Sequence, residues 1–96
     1  MAQVVLAPSA WDDMARLHEF LAKRDLTAAA NAVAAIADGV LVLERHPGIG
    51  RPLPDGLREL IISYGATGYI ALYEFQPARG IVTVFKFRHQ RELGYI

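Results

Sequence analysis

Hydrophobic and polar positions change period several times along this chain, and each change marks an element. Gln3 to Leu6 is short, apolar and partly β-branched and ends at Pro8, which predicts a first strand. From Ser9 the spacing becomes helical. Trp11, Met14, Leu17 and Leu21 recur on one side, while Asp12, Asp13, Arg16, Glu19 and Lys23 fall mostly on the other. Ser9 with Asp12 three residues later suits an N-terminal cap, so a helix is predicted from about Ala10 to Arg24 with Trp11 in the core. Asp25-Leu26-Thr27 supplies a second cap. After it Ala29, Val33, Ile36, Val40 and Leu43 repeat at helical spacing until His46-Pro47-Gly48 stops the pattern. The alanines of this second helix keep its surface smooth enough for close approach of the first, which predicts a helical hairpin.

Residues 46 to 56 (HPGIGRPLPDG) are too rich in Gly and Pro for regular structure. Three strand-like runs follow, at Leu57 to Tyr64, Gly68 to Gln76 and Ile81 to Arg88. Gly65-Ala66-Thr67 and Pro77-Ala78-Arg79-Gly80 separate them as hairpin turns. The expected fold is α+β, in the order β-α-α-β-β-β, with the helical hairpin packed on one face of a small, mostly antiparallel sheet. Strict alternation in the last strand places Ile81, Thr83, Phe85 and Phe87 on one face. Val82, Val84, Lys86 and Arg88 take the other, with the basic end looking away from the helices.

Composition narrows the class. Ninety-six residues support one domain, 1–96, and 53% hydrophobic with 21% charged residues describes a globular chain. The absence of cysteine excludes disulfides, thiolate zinc sites and a cysteine nucleophile, and fits a reducing cytoplasm. The first residues lack the basic region and long apolar stretch of a signal peptide, and no segment is expected to reach the roughly 20 apolar residues of a membrane span. Net charge is zero, yet the C-terminal half is mildly basic: Lys86, Arg88 and Arg91 cluster with His89, offset there by Glu92. A polyanion, if contacted, is expected at that cluster.

Four motifs in order carry a family likeness: H46-P-G-I-G-R51, L57-R-E-L60 opening a strand, G68-Y-I-A-L-Y73 in the next, and R88-H-Q-R-E-L-G-Y95 at the end. Together with the element order they resemble the RelE/ParE superfamily, the toxins of bacterial type II toxin–antitoxin pairs. The resemblance implies a growth-inhibiting toxin neutralised by a cognate antitoxin in a hetero-oligomer, with no cofactor and no metal. It leaves two targets, because RelE-like members cut messenger RNA in the ribosome and ParE-like members poison DNA gyrase. An inactive toxin fold that only binds is a third reading.

For a metal-independent ribonuclease, the resemblance places Tyr95 on the C-terminal tyrosine, with His89 or Arg88 on the basic position before it. His89 would serve as acid or base near neutral pH. Two departures weigh against cleavage. Ile70 occupies the place where RNA-cutting members commonly hold an arginine for the phosphate, and Leu57 to Tyr64 carries Arg58 as its one cation. Removing a preorganised charge of this kind costs on the order of 3 kcal/mol. Gyrase poisoning needs no catalytic set, so the ParE-like reading is favoured. The expected target-binding residues are Arg58, Lys86, Arg88, His89, Arg91 and Tyr95.

Each of these residues also has a structural explanation. Arg58 can form an ion pair, Arg51 can be a solvated loop arginine, and His46 suits a helix C-terminus. Tyr69 and Tyr73 share a strand face and can pack across strands. His18 has no second His at helical spacing and no Cys to join it at a metal. Arg88, His89, Arg91 and Tyr95 can be a solvated tail.

Overall fold

The computed structural model describes residues 1–96. It contains β1 (Gln3–Leu6), α1 (Pro8–Ala22), α2 (Leu26–Val40), a 3₁₀ turn at Leu41–Glu44, β2 (Arg51–Pro52), β3 (Leu57–Tyr64), β4 (Thr67–Gln76) and β5 (Ile81–His89). The five strands form one sheet in the order β1-β5-β4-β3-β2. β1 runs parallel to β5 and the other pairs are antiparallel. Both helices lie on one face, α1 over β5 and α2 over β3. The expected α+β arrangement is thus present, with the two-residue β2 added inside the Gly/Pro-rich loop.

Local chemistry explains the boundaries. The Asp25 side chain accepts the Ala28 N–H at 3.1 Å, the expected cap of α2. Gly65 and Gly80 adopt φ of 58° and 64° in the two hairpin turns, a region that Cβ-bearing residues avoid. Helix α1 differs from expectation. It starts at Pro8, whose fixed φ and missing N–H suit the first helical turn, and it has no side-chain cap. Ser9 instead donates to the Phe85 carbonyl at 2.6 Å.

The core is a single cluster that includes Met14, Leu17, Ile36, Leu43, Leu60, Ile62, Tyr73, Val82, Val84 and Phe87. Trp11 is outside it: the indole is 60% exposed, so the expectation of a core tryptophan fails. Helical spacing put Trp11 near the apolar stripe, but Ala10 at 0% exposure and Asp13 at 3% occupy the buried side of that turn. A second correction concerns the apolar run Leu26–Glu44. It is one helical span of 19 residues and, by length and composition alone, apolar enough to cross a membrane. Here its Ala29, Ala32, Ile36, Val40 and Leu43 are buried in the fold.

A break in register sets which side chains reach the open face of the sheet. Leu72 pairs with Lys86 but Tyr73 pairs with Val84, so Phe85 is an extra residue in β5, a β-bulge. The bulge inverts the alternation. Phe87 and His89 join Val82 and Val84 on the helix side, while Lys86 and Arg88 join Ile81 and Thr83 on the other side. Strict alternation had grouped Val82 and Val84 with Lys86 and Arg88.

Candidate functional site

The open face of β3, β4 and β5 is where the chemistry-bearing tail returns to the sheet. Glu59 of β3 is paired with Leu72 and Leu72 with Lys86, so these three share that face with Ile61, Ile70 and Arg88. Beyond β5 the chain turns back through Glu92, which accepts the His89 N–H at 2.9 Å and binds Arg16 of α1 at 3.1 Å. That turn delivers Tyr95 to Glu59. The phenol donates to Glu59 Oε2 at 2.7 Å, and its ring lies 5.2 Å from the Arg88 guanidinium carbon, within cation–π range. Arg88 Nη1 also donates to the Glu92 carbonyl at 2.7 Å.

Arg51 completes this cluster by pairing with the other oxygen of Glu59. Its side chain is 70% exposed, as expected of a solvated loop arginine, yet it is paired, and its position depends on the loop before it. The Tyr73 hydroxyl, on a fully buried side chain, accepts the Gly50 N–H at 2.8 Å and donates to the Pro47 carbonyl at 2.8 Å. Arg58 donates to the carbonyls of Gly48 at 3.0 Å and Gly50 at 2.8 Å. Gly50 fits because a Cβ there would lie 2.6 Å from the Tyr73 oxygen. Arg58 and Tyr73 thus pin the loop that presents Arg51.

Electrostatics follow from this arrangement. The Tyr95 hydrogen bond holds the Glu59 carboxyl below its ordinary value, with Arg51 and Arg88 adding to the effect and burial opposing it. Glu59 is 8% exposed and ionised. Burial pushes the Tyr95 hydroxyl well above the ordinary tyrosine value, and its bond to Glu59 pushes it further. Near neutral pH Tyr95 is protonated and donates its hydrogen bond to Glu59.

His89 is not part of this cluster. It faces the helix side, packs edge-on against Tyr69 with ring centroids 5.4 Å apart, and contacts the Thr67 hydroxyl through Nε2. Its Nδ1 accepts the Arg91 N–H at 3.0 Å, which assigns the proton to Nε2. Lys86 lies in register with the open face, yet its ammonium binds Asp13 of α1 at 3.2 Å. Arg91 is exposed on the far side of the tail turn, where it borders a groove with His89. Of the six expected residues, the fold brings Arg88 and Tyr95 together and places Arg58, Lys86, His89 and Arg91 elsewhere.

Asp13, Glu59 and Arg51 are the organising residues that sequence reasoning missed. Asp13 stands past the end of β1, where the edge of β5 would be bare, and accepts the Phe87 N–H at 2.9 Å. Its helical position suggested a solvated aspartate. Glu59 carried one signal, a carboxylate at an alternating position between Leu57 and Ile61 of a strand.

Comparison with known proteins follows the same outline. Residues 4–94 match the family model described as the ParE toxin of the type II toxin–antitoxin system parDE. Toxin RelE3 of Caulobacter vibrioides is 34% identical over 92 residues, which is 96% of this chain and 98% of that one. Among solved structures, the chromosomal ParDE system of P. aeruginosa superposes with a TM-score of 0.78 at 18% identity, over 93% of this chain and 96% of that chain. The RelBE2 toxin–antitoxin complex of Mycobacterium tuberculosis gives 0.64 at 21% identity, covering 93% and 98%. The intact E. coli RelBE complex gives 0.61 at 12% identity, covering 96% and 100%. The family-model match over residues 4–94 and the 34% identity to a toxin of matching length show that the chain belongs to the ParE toxin family of type II toxin–antitoxin systems.

Proposed function

We propose that this toxin arrests growth by binding and poisoning DNA gyrase, with Arg88 and Tyr95 at the centre of its contact surface, and that a cognate antitoxin neutralises it. The observation that carries this reading is the separation of His89 from Arg88 and Tyr95 onto opposite faces of the sheet. Metal-independent RNA cleavage needs a base for the 2′-hydroxyl, a cation for the phosphate and an acid for the leaving oxygen within reach of one another. Here both nitrogens of His89 are engaged by Thr67 and Arg91. Tyr95 is held protonated against Glu59, and Ile70 stands where a phosphate-binding arginine would be expected. A surface that inhibits by binding needs none of these groups poised for proton transfer.

The test is a supercoiling assay with purified, folded toxin. Gyrase poisoning predicts trapped cleaved DNA or loss of supercoiling, relieved by the antitoxin. Undisturbed supercoiling at toxin concentrations well above those of gyrase would overturn the reading.

The ribosome-dependent ribonuclease reading draws on one observation, the convergence of Arg51, Arg88, Glu59 and Tyr95 on an open face. Mapping transcript ends after induction separates the two. New cuts at the ribosomal A site support cleavage, whereas intact transcripts with arrested replication support gyrase.

A further inference from the structure

The open face of the sheet holds a donor set of the kind that recognises a phosphate group. The Arg51 guanidinium and the Tyr95 hydroxyl converge on one spot, with the Arg88 guanidinium against the Tyr95 ring. The chain itself fills that spot. Glu59 places one carboxylate oxygen on Arg51 and the other on the Tyr95 hydroxyl at 2.7 Å, the way two oxygens of a phosphodiester would be held.

Backbone pairing keeps the carboxylate in place. Glu59 lies opposite Arg51 in the β2–β3 ladder and opposite Leu72 in the β3–β4 ladder, so the strand that carries it is held on both sides. A phosphate approaching Arg51 and Tyr95 would meet a nearly buried, ionised carboxylate, and two like charges that close repel. Glu74 is in register with the same face further along β4, which sets two acids against Arg51 and Arg88. Lys86 adds nothing to the balance, because its ammonium is bound to Asp13. The exposed remainder is apolar, with Ile61 on this face and Leu93 and Ile96 flanking Tyr95 in the tail. Affinity for a polyanion comes from cations that displace its counterions, whereas an apolar surface of balanced charge suits a protein.

Resting on the gyrase reading above, we infer that Glu59 sets the class of partner: by standing between Arg51 and Tyr95 where a phosphate would bind, it bars nucleic acid from this face and leaves Arg88, Tyr95 and the apolar rim to a protein surface.

The experiment titrates full-length toxin onto a labelled single-stranded RNA 12-mer at about 0.15 M salt and follows fluorescence anisotropy. Wild type should not saturate up to about 100 µM, the weak end of non-specific binding. Glu59→Gln removes the charge but keeps an oxygen to accept from Tyr95. It should bind at least tenfold tighter, with a salt slope steeper by about 0.7 for one phosphate gained. Adding Arg51→Ala to Glu59→Gln should abolish that gain. Glu74→Gln takes a charge from the same face without vacating the place between Arg51 and Tyr95, and should stay within about twofold of wild type. RNA affinity in Glu59→Gln within about twofold of wild type overturns the inference, and so does saturable RNA binding by wild type. An equal gain in Glu74→Gln also overturns it, since Glu59 would then act only through net charge. Glu59→Leu carries the same comparison if Glu59→Gln fails to fold, because leucine suits a strand position between Leu57 and Ile61 and replaces the ion pair with an apolar side chain. The gyrase reading fails separately, in the supercoiling assay with wild-type toxin, where no RNA is present.

Discussion

Gly50→Ala is the substitution for which the geometry makes the sharpest demand. The added Cβ would lie 2.6 Å from the Tyr73 oxygen, 2.7 Å from its Cε1 and 2.8 Å from the Glu59 carbonyl oxygen. Tyr73 is fully buried and cannot swing aside, and the Glu59 backbone belongs to a paired strand. The loop must move instead. Moving it breaks the Gly50 N–H bond to Tyr73 and the Arg58 bond to the Gly50 carbonyl. These losses, about 1 and 1.5 kcal/mol, add to about 1 kcal/mol of residual crowding, for a total of about 3.5 kcal/mol. At about 2.1 cal/mol/K per residue, the 96-residue chain unfolds with an entropy of about 0.2 kcal/mol/K, so Tm should fall by roughly 17 °C. Thermal denaturation followed by circular dichroism measures it. Gly48→Ala is the control, because nothing lies within 4 Å of its added Cβ, and its Tm should stay within about 2 °C of wild type. A Gly50→Ala protein melting within about 3 °C of wild type would refute the account of the pinned loop.

Other expectations follow from the same contacts. Asp13→Ala leaves the Phe87 N–H without its acceptor and frees Lys86, and should cost about 3 kcal/mol; Asp13→Asn, which keeps an acceptor, should cost less than half of that in chemical denaturation. Arg88→Ala and Tyr95→Phe should each reduce growth arrest while the far-ultraviolet spectrum stays native, and undiminished arrest by a soluble double variant sinks the assignment of the contact surface. The Tyr95–Glu59 contact also fixes a pH window. Glu59, depressed below 4.5, contributes stability above that pH and loses it as pH falls through its folded value. Tyr95, raised above 10, contributes below that pH and loses it as pH rises through its folded value. The stability difference between wild type and Tyr95→Phe should hold constant from about pH 5 to 9 and shrink in acid; a difference still undiminished near pH 2 would show that the carboxylate is not the partner.

Elements that rest on local chemistry were legible in the sequence. The Asp25 cap, the two glycine turns and the β-branched runs each specify structure through near neighbours, and β1, β3 and β5 fall within a residue of expectation. What was not legible depends on partners far along the chain. The bulge at Phe85 answers to the geometry between β4 and β5, and no alternation rule within β5 contains it. Because of that one inserted residue, Lys86 and Arg88 no longer share a face with Val82 and Val84, and His89 takes the helix side instead. Asp13 and Ser9 looked like helix-surface and capping residues because the donor to Asp13 and the acceptor for Ser9 lie more than 70 positions away. Arg51 was readable as loop and Glu59 as strand, but their meeting requires the loop to fold back on β3.

The parallel pairing of β1 with β5 bears on when the toxin comes into being during synthesis. At the growing end of a ribosome-bound chain, β1, α1 and α2 emerge first, yet β1 has no strand to pair with and α1 no sheet to cover until residues 81–89 arrive. Closing so wide a loop between the ends of the chain carries a large entropic cost that is repaid only at completion. A polypeptide released before β5 should therefore be unfolded and harmless. The folded toxin is therefore expected to form late and all at once, which leaves the cell a translation-long interval in which a partner already present can meet each new molecule.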